Sequence, residues 1–237
     1  MGIIVFNGVS SKDLGIRVAT PPEYQIPERD ISTTLVPGRN GEAILNVGAF
    51  KNVKREYSVS FPADIPFSEK TATIARWLFS SSGYARLQDS YDPNVYRMAF
   101  CQETIGIESL YQEAGRTTLS FSCRPERFLL SGEEPITMTT PGKILNPTGM
   151  ATDPLLRVYG TGAGELTIGE KEVSIKRLDT KYLAIDCHTQ DAFYLHVNKN
   201  DTVSIQDGFP KLGQSETHIT WSGGITKIEI IPRWWSL

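Results

Sequence analysis

Tyr57, Val59 and Phe61 alternate with Ser58 and Ser60, a period of two that sends one side chain into a core and the next into solvent, as on a half-buried β-strand. Short apolar runs of this kind dominate the chain. In the first half they fall at residues 3–6, 31–36, 43–47, 84–87, 95–100, 104–110 and 117–123, divided by turn formers such as Asn7-Gly8 and Asp89-Ser90-Tyr91-Asp92-Pro93-Asn94. Glu113-Ala114-Gly115-Arg116 reads as the loop of a further hairpin. One stretch departs from the pattern. Ile74, Trp77 and Leu78 share a face at helical spacing, with Ser68 placed to cap, Glu69 in the first turn and Gly83 to terminate. One helix among antiparallel strands predicts a sandwich-like layered domain.

The runs at 31–36 and 43–47 enclose Pro37-Gly38-Arg39-Asn40-Gly41, a loop dense in turn formers, so strand, loop and strand predict a β-hairpin. Its flanks are polar. A hairpin with little core beneath it is expected to project from the domain as an arm that invites a partner.

Composition shifts at residues 131–154, which carry Pro135, Pro141, Pro147 and Pro154 among Gly132, Gly142 and Gly149. The domain boundary is expected here, giving domains 1–135 and 136–237. Beyond it every segment reads as strand: 155–159, 165–168, 172–175, 182–186, 192–197, 202–205, 218–221 and 225–231. Such spacing predicts a β-sandwich or jelly roll. The fold class is therefore mostly β with one helix.

Composition narrows the partners. A net charge of −3 over 237 residues leaves no excess of Lys and Arg to neutralise phosphates, which argues against nucleic acid. The opening residues lack a basic leader, Phe6 stands where a myristoylation signal needs Ser or Thr, and no apolar stretch is long enough to span a bilayer. The expectation is a protein with no membrane anchor. Cys101, Cys123 and Cys187 are too few and too scattered for a disulfide scaffold or a zinc site.

No catalytic pattern emerges. Asp186-Cys187-His188 is the most tempting cluster, yet neighbours on an extended chain face opposite ways. Gly160-Thr161-Gly162-Ala163-Gly164 is followed by a strand rather than a helix N-terminus, so it reads as a hairpin loop and not a phosphate loop. His188, His196 and His218 form no metal motif. Neither a cofactor nor an enzymatic activity is expected. Trp221, Trp234 and Trp235 leave three roles open: closing the core, anchoring a protein interface, or stacking on a sugar. On an extended backbone one of the adjacent pair would be buried and the other turned outward.

The order of these elements resembles the distal tail proteins of long, non-contractile-tailed bacteriophages, the hub component of the baseplate. The likeness runs through Val36-Pro37-Gly38-Arg39-Asn40-Gly41, Arg55-Glu56-Tyr57-Ser58-Val59-Ser60-Phe61 and Ala75-Arg76-Trp77-Leu78. It continues in Leu87-Gln88-Asp89-Ser90-Tyr91-Asp92-Pro93, in Tyr96-Arg97-Met98-Ala99 and in Thr118-Leu119-Ser120-Phe121-Ser122-Cys123-Arg124-Pro125-Glu126-Arg127-Phe128. In the second half it rests on Asn146-Pro147-Thr148, Pro154-Leu155-Leu156-Arg157-Val158-Tyr159-Gly160, Tyr182-Leu183-Ala184-Ile185-Asp186, Gly208-Phe209-Pro210-Lys211-Leu212 and Ile231-Pro232-Arg233-Trp234-Trp235.

The resemblance implies a homo-oligomeric ring, usually a hexamer. Its N-terminal domain docks on the tail-tube protein, and its C-terminal domain, galectin-like in that family, offers a platform for receptor-binding protein. The tail-associated tip protein meets the ring at the tip. It also implies a place in the virion, at the distal end of the tail, after assembly in the host cytoplasm. Val36, Pro37, Arg39 and Asn40 become the expected ring contacts, and Trp221, Trp234 and Trp235 the expected C-terminal partner or packing surface. Relatives that bind host sugars carry long inserted modules for which this chain is too short. The competing reading is a carbohydrate-binding β-sandwich for host adhesion, and behind it a β-rich hydrolase.

Overall fold

The computed structural model describes residues 2–62, 64–101, 103, 105–110 and 113–237. They form two units, with the division between Arg127 and Phe128 rather than at 135/136. In the first unit the strands are β1 (Ile4–Phe6), β2 (Val9–Ser10), β3 (Arg17–Val18), β4 (Arg29–Leu35), β5 (Glu42–Phe50) and β6 (Val53–Pro62). After the helix α1 (Phe67–Leu78) come β7 (Ala85–Asp89), β8 (Val95–Phe100), β9 (Glu108–Leu110) and β10 (Ala114–Cys123).

The main sheet runs β2-β1-β7-β8-β10-β6-β3, with β9 added to β10. Its centre is the ten-residue ladder of β6 against β10, with Tyr57 opposite Leu119 and Val59 opposite Thr117. Alternation drives this pairing. Val53, Arg55, Tyr57, Val59 and Phe61 are buried, while the residues between them face outward. Tyr57, Val59 and Phe61 join Ile4, Phe6, Leu87, Leu119 and Phe121 under α1.

The helix buries the expected Ile74, Trp77 and Leu78, and Trp77 Nε1 donates to the Phe6 carbonyl at 3.2 Å. Its ends differ from expectation. Ser68 lies inside the helix and Pro66 takes the capping position, where an N–H would have no intrahelical acceptor and so is not missed, while the Pro66 carbonyl accepts from Glu69 and Lys70. Phe79 ends it, well before Gly83, because the following serines have no apolar face to bury. Lys70 is buried on the helix's inner face and pairs with Asp64 at 2.7 Å.

Residues 114–116 are ladder and not loop: Ala114, Gly115 and Arg116 pair with Pro62, Phe61 and Ser60 on one side and with β9 on the other. Just before them the Glu113 N–H reaches the Leu110 carbonyl. Of the run expected at 104–110, strand covers Glu108–Leu110, and Thr104 lies outside the described residues.

From the junction strand β11 (Arg127–Leu129) the second unit continues through β12 (Ile136–Met138), β13 (Gly142–Leu145), β14 (Leu155–Ile168), β15 (Lys171–Leu178) and β16 (Leu183–Asp186). Then come β17 (Asp191–Tyr194), β18 (Val197–Asn198), β19 (Val203–Ile205), β20 (Glu216–Ile231) and β21 (Trp235–Ser236). Two strands are far longer than their apolar runs suggest. β14 and β20 pair from Leu155↔Ile231 to Ile168↔Ile219, with register shifts near Gly160 and Gly164. The supposed loop at 160–164 is therefore strand. Glycine makes the bend possible: a Cβ on Gly160 would lie 2.1 Å from the Gly224 carbonyl oxygen, and one on Gly224 would lie 1.8 Å from that of Thr161.

Through this bend both strands contribute to both layers. Leu156, Val158, Ile228 and Ile230 from one half share a single core with Leu166, Ile168, Val173 and Ile219 from the other. The result is the expected β-sandwich.

Candidate assembly surface

The hairpin of β4 and β5 forms a two-stranded sheet of its own. Arg39 N–H closes the turn on the Val36 carbonyl at 3.1 Å, and Gly38 and Gly41 adopt φ of +79° and +81°, a region glycine enters without strain. Register pairs Ile31 with Asn46, Thr33 with Ile44 and Leu35 with Glu42, so Ile31, Leu35 and Ile44 share one face. Leu45, opposite Ser32, lies on the other.

Every residue of β4 is exposed, and Leu35, Ile44 and Leu45 are 75%, 67% and 66% exposed. Val36, Pro37, Arg39 and Asn40 at the tip are exposed as well. A two-stranded ribbon is marginal in water by itself, and its unpaired edges and bare aliphatic side chains are the features proteins cover with a partner.

The hairpin is entered through residues 19–28, which form no regular element. This strap is tied at one end by Ala19 N–H to Ser58 O (2.8 Å) and at the other by Lys51 N–H to Glu28 O (2.8 Å), with a Lys51–Glu28 ion pair at 3.2 Å. Between the ties lies a polar cluster. Tyr24 is flanked by two guanidiniums, Arg55 at 5.3 Å and Arg127 at 5.1 Å from its ring centroid. Its hydroxyl donates to Asp92 Oδ2 (2.9 Å) and accepts from Arg127 Nη2 (2.6 Å), and Arg127 pairs with the same carboxylate.

Arg55 occupies a core position of β6 and is buried. It reaches Asp89 Oδ2 (3.0 Å), the Tyr57 hydroxyl (3.3 Å) and the Glu23 carbonyl (3.3 Å). Tyr57 donates to Asp89 Oδ2 at 2.7 Å. Burial, then the Asp89 charge and its hydrogen bond, pushes the Tyr57 phenol far above its usual range, so it remains a donor. Burial works against ionisation of Asp92, but the hydrogen bonds from Arg127 and Tyr24 outweigh it and hold the carboxyl below its ordinary value. Sequence reading missed this cluster. The signal was present: Arg55 falls on the inward beat of Val53, Tyr57, Val59 and Phe61, where an unpaired cation could not remain.

The three tryptophans part company. Trp234 is 4% exposed within the second core, and Trp221 packs against that core half-buried. Trp235 is half-buried and donates Nε1–H to the Ala151 carbonyl at 3.1 Å. The chain turns just before this pair, where Arg233 has φ +55°. Arg233 grips Asp186 through two nitrogens, each at 2.7 Å. Burial of Asp186 opposes its charge, yet the Arg233 bonds and the His188 and Thr189 N–H groups keep its pKa below the usual carboxylate value.

The Asp186-Cys187-His188 cluster offers no nucleophile. Cys187 is buried just past β16, and burial, followed by the charges of Asp186 and Asp153, pushes its thiol up to about 12. His188 is exposed, with Nδ1 at 3.7 Å from Asp153 Oδ2. Cys101, Cys123 and Cys187 are unbridged. Among the described residues no group of three or more His, Cys, Asp and Glu is placed to hold a metal, and no helix is long and apolar enough to cross a membrane.

No family model matches the sequence, and no curated protein sequence matches it. In structure the chain is similar to the Dit protein of phage SPP1, a paradigm of the hub adsorption apparatus in phages that infect Gram-positive bacteria. The superposition has a TM-score of 0.76 and covers 97% of this chain and 98% of that one, at 12% sequence identity. Agreement over both full lengths at so low an identity is agreement of fold, and the fold is the one the distal-tail resemblance implies.

Proposed function

We propose that this protein is a structural hub subunit of a phage tail, without enzymatic activity, that assembles with copies of itself into a six-membered ring at the distal end of the tail. One observation carries the reading furthest: the hairpin β4–β5 is an exposed two-stranded sheet with aliphatic side chains on both faces. In a ring, its open edge adds main-chain hydrogen bonds to a neighbouring copy while Ile31, Leu35 and Ile44 find apolar cover. Val36, Pro37, Arg39 and Asn40 then meet the neighbour at the tip. The first unit faces the tail-tube protein, the second offers the platform for receptor-binding protein, and the tip protein completes the hub. The full-length likeness to a hub adsorption protein supports this reading. The rival sugar reading rests on the β-sandwich and the late tryptophans; Trp234 is buried in the core and unable to stack on a sugar, which leaves Trp221 and Trp235, both half-buried, to carry it.

The test is the solution mass by light scattering, with negative-stain images of the same sample, for the natural chain and for a variant whose residues 37–41 are replaced by a two-residue turn. The natural chain should give a closed particle of six 26.3 kDa protomers, alone or on addition of tail-tube protein. The variant should keep its circular dichroism and stay monomeric. Unchanged assembly of the variant removes the hairpin from the interface, and a natural chain that never assembles overturns the ring.

A further inference from the structure

We infer that Tyr24 is the positioning residue that fixes the direction in which the hairpin leaves the first unit, and that ring assembly depends on it; this rests on the hub reading above. The strap 19–28 contains Pro21, Pro22 and Pro27, which lack the N–H groups needed to pair with an adjacent strand. A side chain must therefore hold it, and Tyr24 has the geometry to do so. The guanidiniums of Arg55 and Arg127 lie 5.3 Å and 5.1 Å from its ring centroid, and its hydroxyl closes on Asp92. Arg55 adds a bond to the neighbouring Glu23 carbonyl.

These partners are themselves held. Asp89 grips Arg55 and Tyr57 with Oδ2, and its Oδ1 accepts the Tyr91 and Asp92 N–H groups, which shapes the turn that presents Asp92. Tyr24 itself is 60% exposed and adds little to the core, so so many preformed partners around it call for a role other than packing. Two cation–π contacts fix the strap without requiring regular structure. The hairpin's second attachment, through Lys51 and Asn52 into β6, is only two residues long.

The experiment compares Tyr24→Ala and Tyr24→Phe in the full chain by three readouts: cleavage by a glutamate-specific protease at Glu23 and Glu28, the concentration for half-assembly, and the melting temperature. Tyr24→Ala should speed strap cleavage and raise the half-assembly concentration about tenfold, with little change in melting. Tyr24→Phe keeps the ring beside the two cations and should recover most of both. Unchanged cleavage in Tyr24→Ala overturns the clamp whatever assembly does, and faster cleavage with unchanged assembly overturns its positioning role. A natural chain that stays monomeric defeats the ring reading instead, and the clamp is then judged on cleavage.

Discussion

Asp89 uses its two carboxylate oxygens for two tasks: Oδ2 neutralises Arg55 and accepts from Tyr57, while Oδ1 caps the turn at Tyr91 and Asp92. The side chains of Arg55 and Asp89 are 5% and 7% exposed, so each needs the other to be buried at all. Asp89→Ala should therefore destabilise the first unit by about 3 kcal/mol in urea titrations, the cost of leaving Arg55 charged and unpaired. A loss below about 1 kcal/mol would mean that water reaches the guanidinium in the variant. The two aspartates stood out in the sequence as turn residues, and Arg55 and Tyr57 as part of a strand. Their meeting around Tyr24 was illegible, because Tyr24 lies in a polar, proline-rich stretch with no periodicity and its partners lie far along the chain.

At the scale of elements, local pattern succeeded where one face is buried and failed where glycine or proline changes its meaning. The β6 strand, the apolar face of α1 and the hairpin all follow from spacing that a reader can count. Glycines at 160–164 looked like a loop because single-strand pattern cannot distinguish a turn from a bend shared by two paired strands. Gly224→Ala tests that bend. Its Cβ would meet the Thr161 carbonyl oxygen at 1.8 Å, and the backbone shift this forces should cost about 2 kcal/mol in thermal or urea unfolding of the second unit. An unaffected variant would show that the two strands slide past each other there. The same glycines explain why β14 and β20 serve both layers, which no run of four or five apolar residues announces.

For the whole molecule, each unit contains a carboxylate whose folded pKa lies below its ordinary value of 3.8: Asp92 in the first and Asp186 in the second. A depressed folded pKa means the unfolded chain takes up its proton first. The stability each group adds is therefore complete above the unfolded pKa and is lost as pH falls through the folded one. Urea midpoints should hold near neutrality and drop as pH falls below about 5 and on through the depressed folded values, and Asp186→Asn should flatten part of that fall in the second unit. An equal slope in the variant would place the acid sensitivity elsewhere.

By itself, the sequence determined the fold class, the apolar face of α1 and the exposed hairpin, because these depend on short-range periodicity and on which faces must avoid water. The distal-tail likeness read from the motifs led to the same fold that the superposition finds. Only the tertiary structure decided that Trp234 closes a core, that Cys187 is buried and its thiol stays protonated, and that Arg55, Asp89, Asp92 and Arg127 converge on Tyr24. Burial and charge pairing are properties of groups brought together from distant positions, and no local window of the chain contains them.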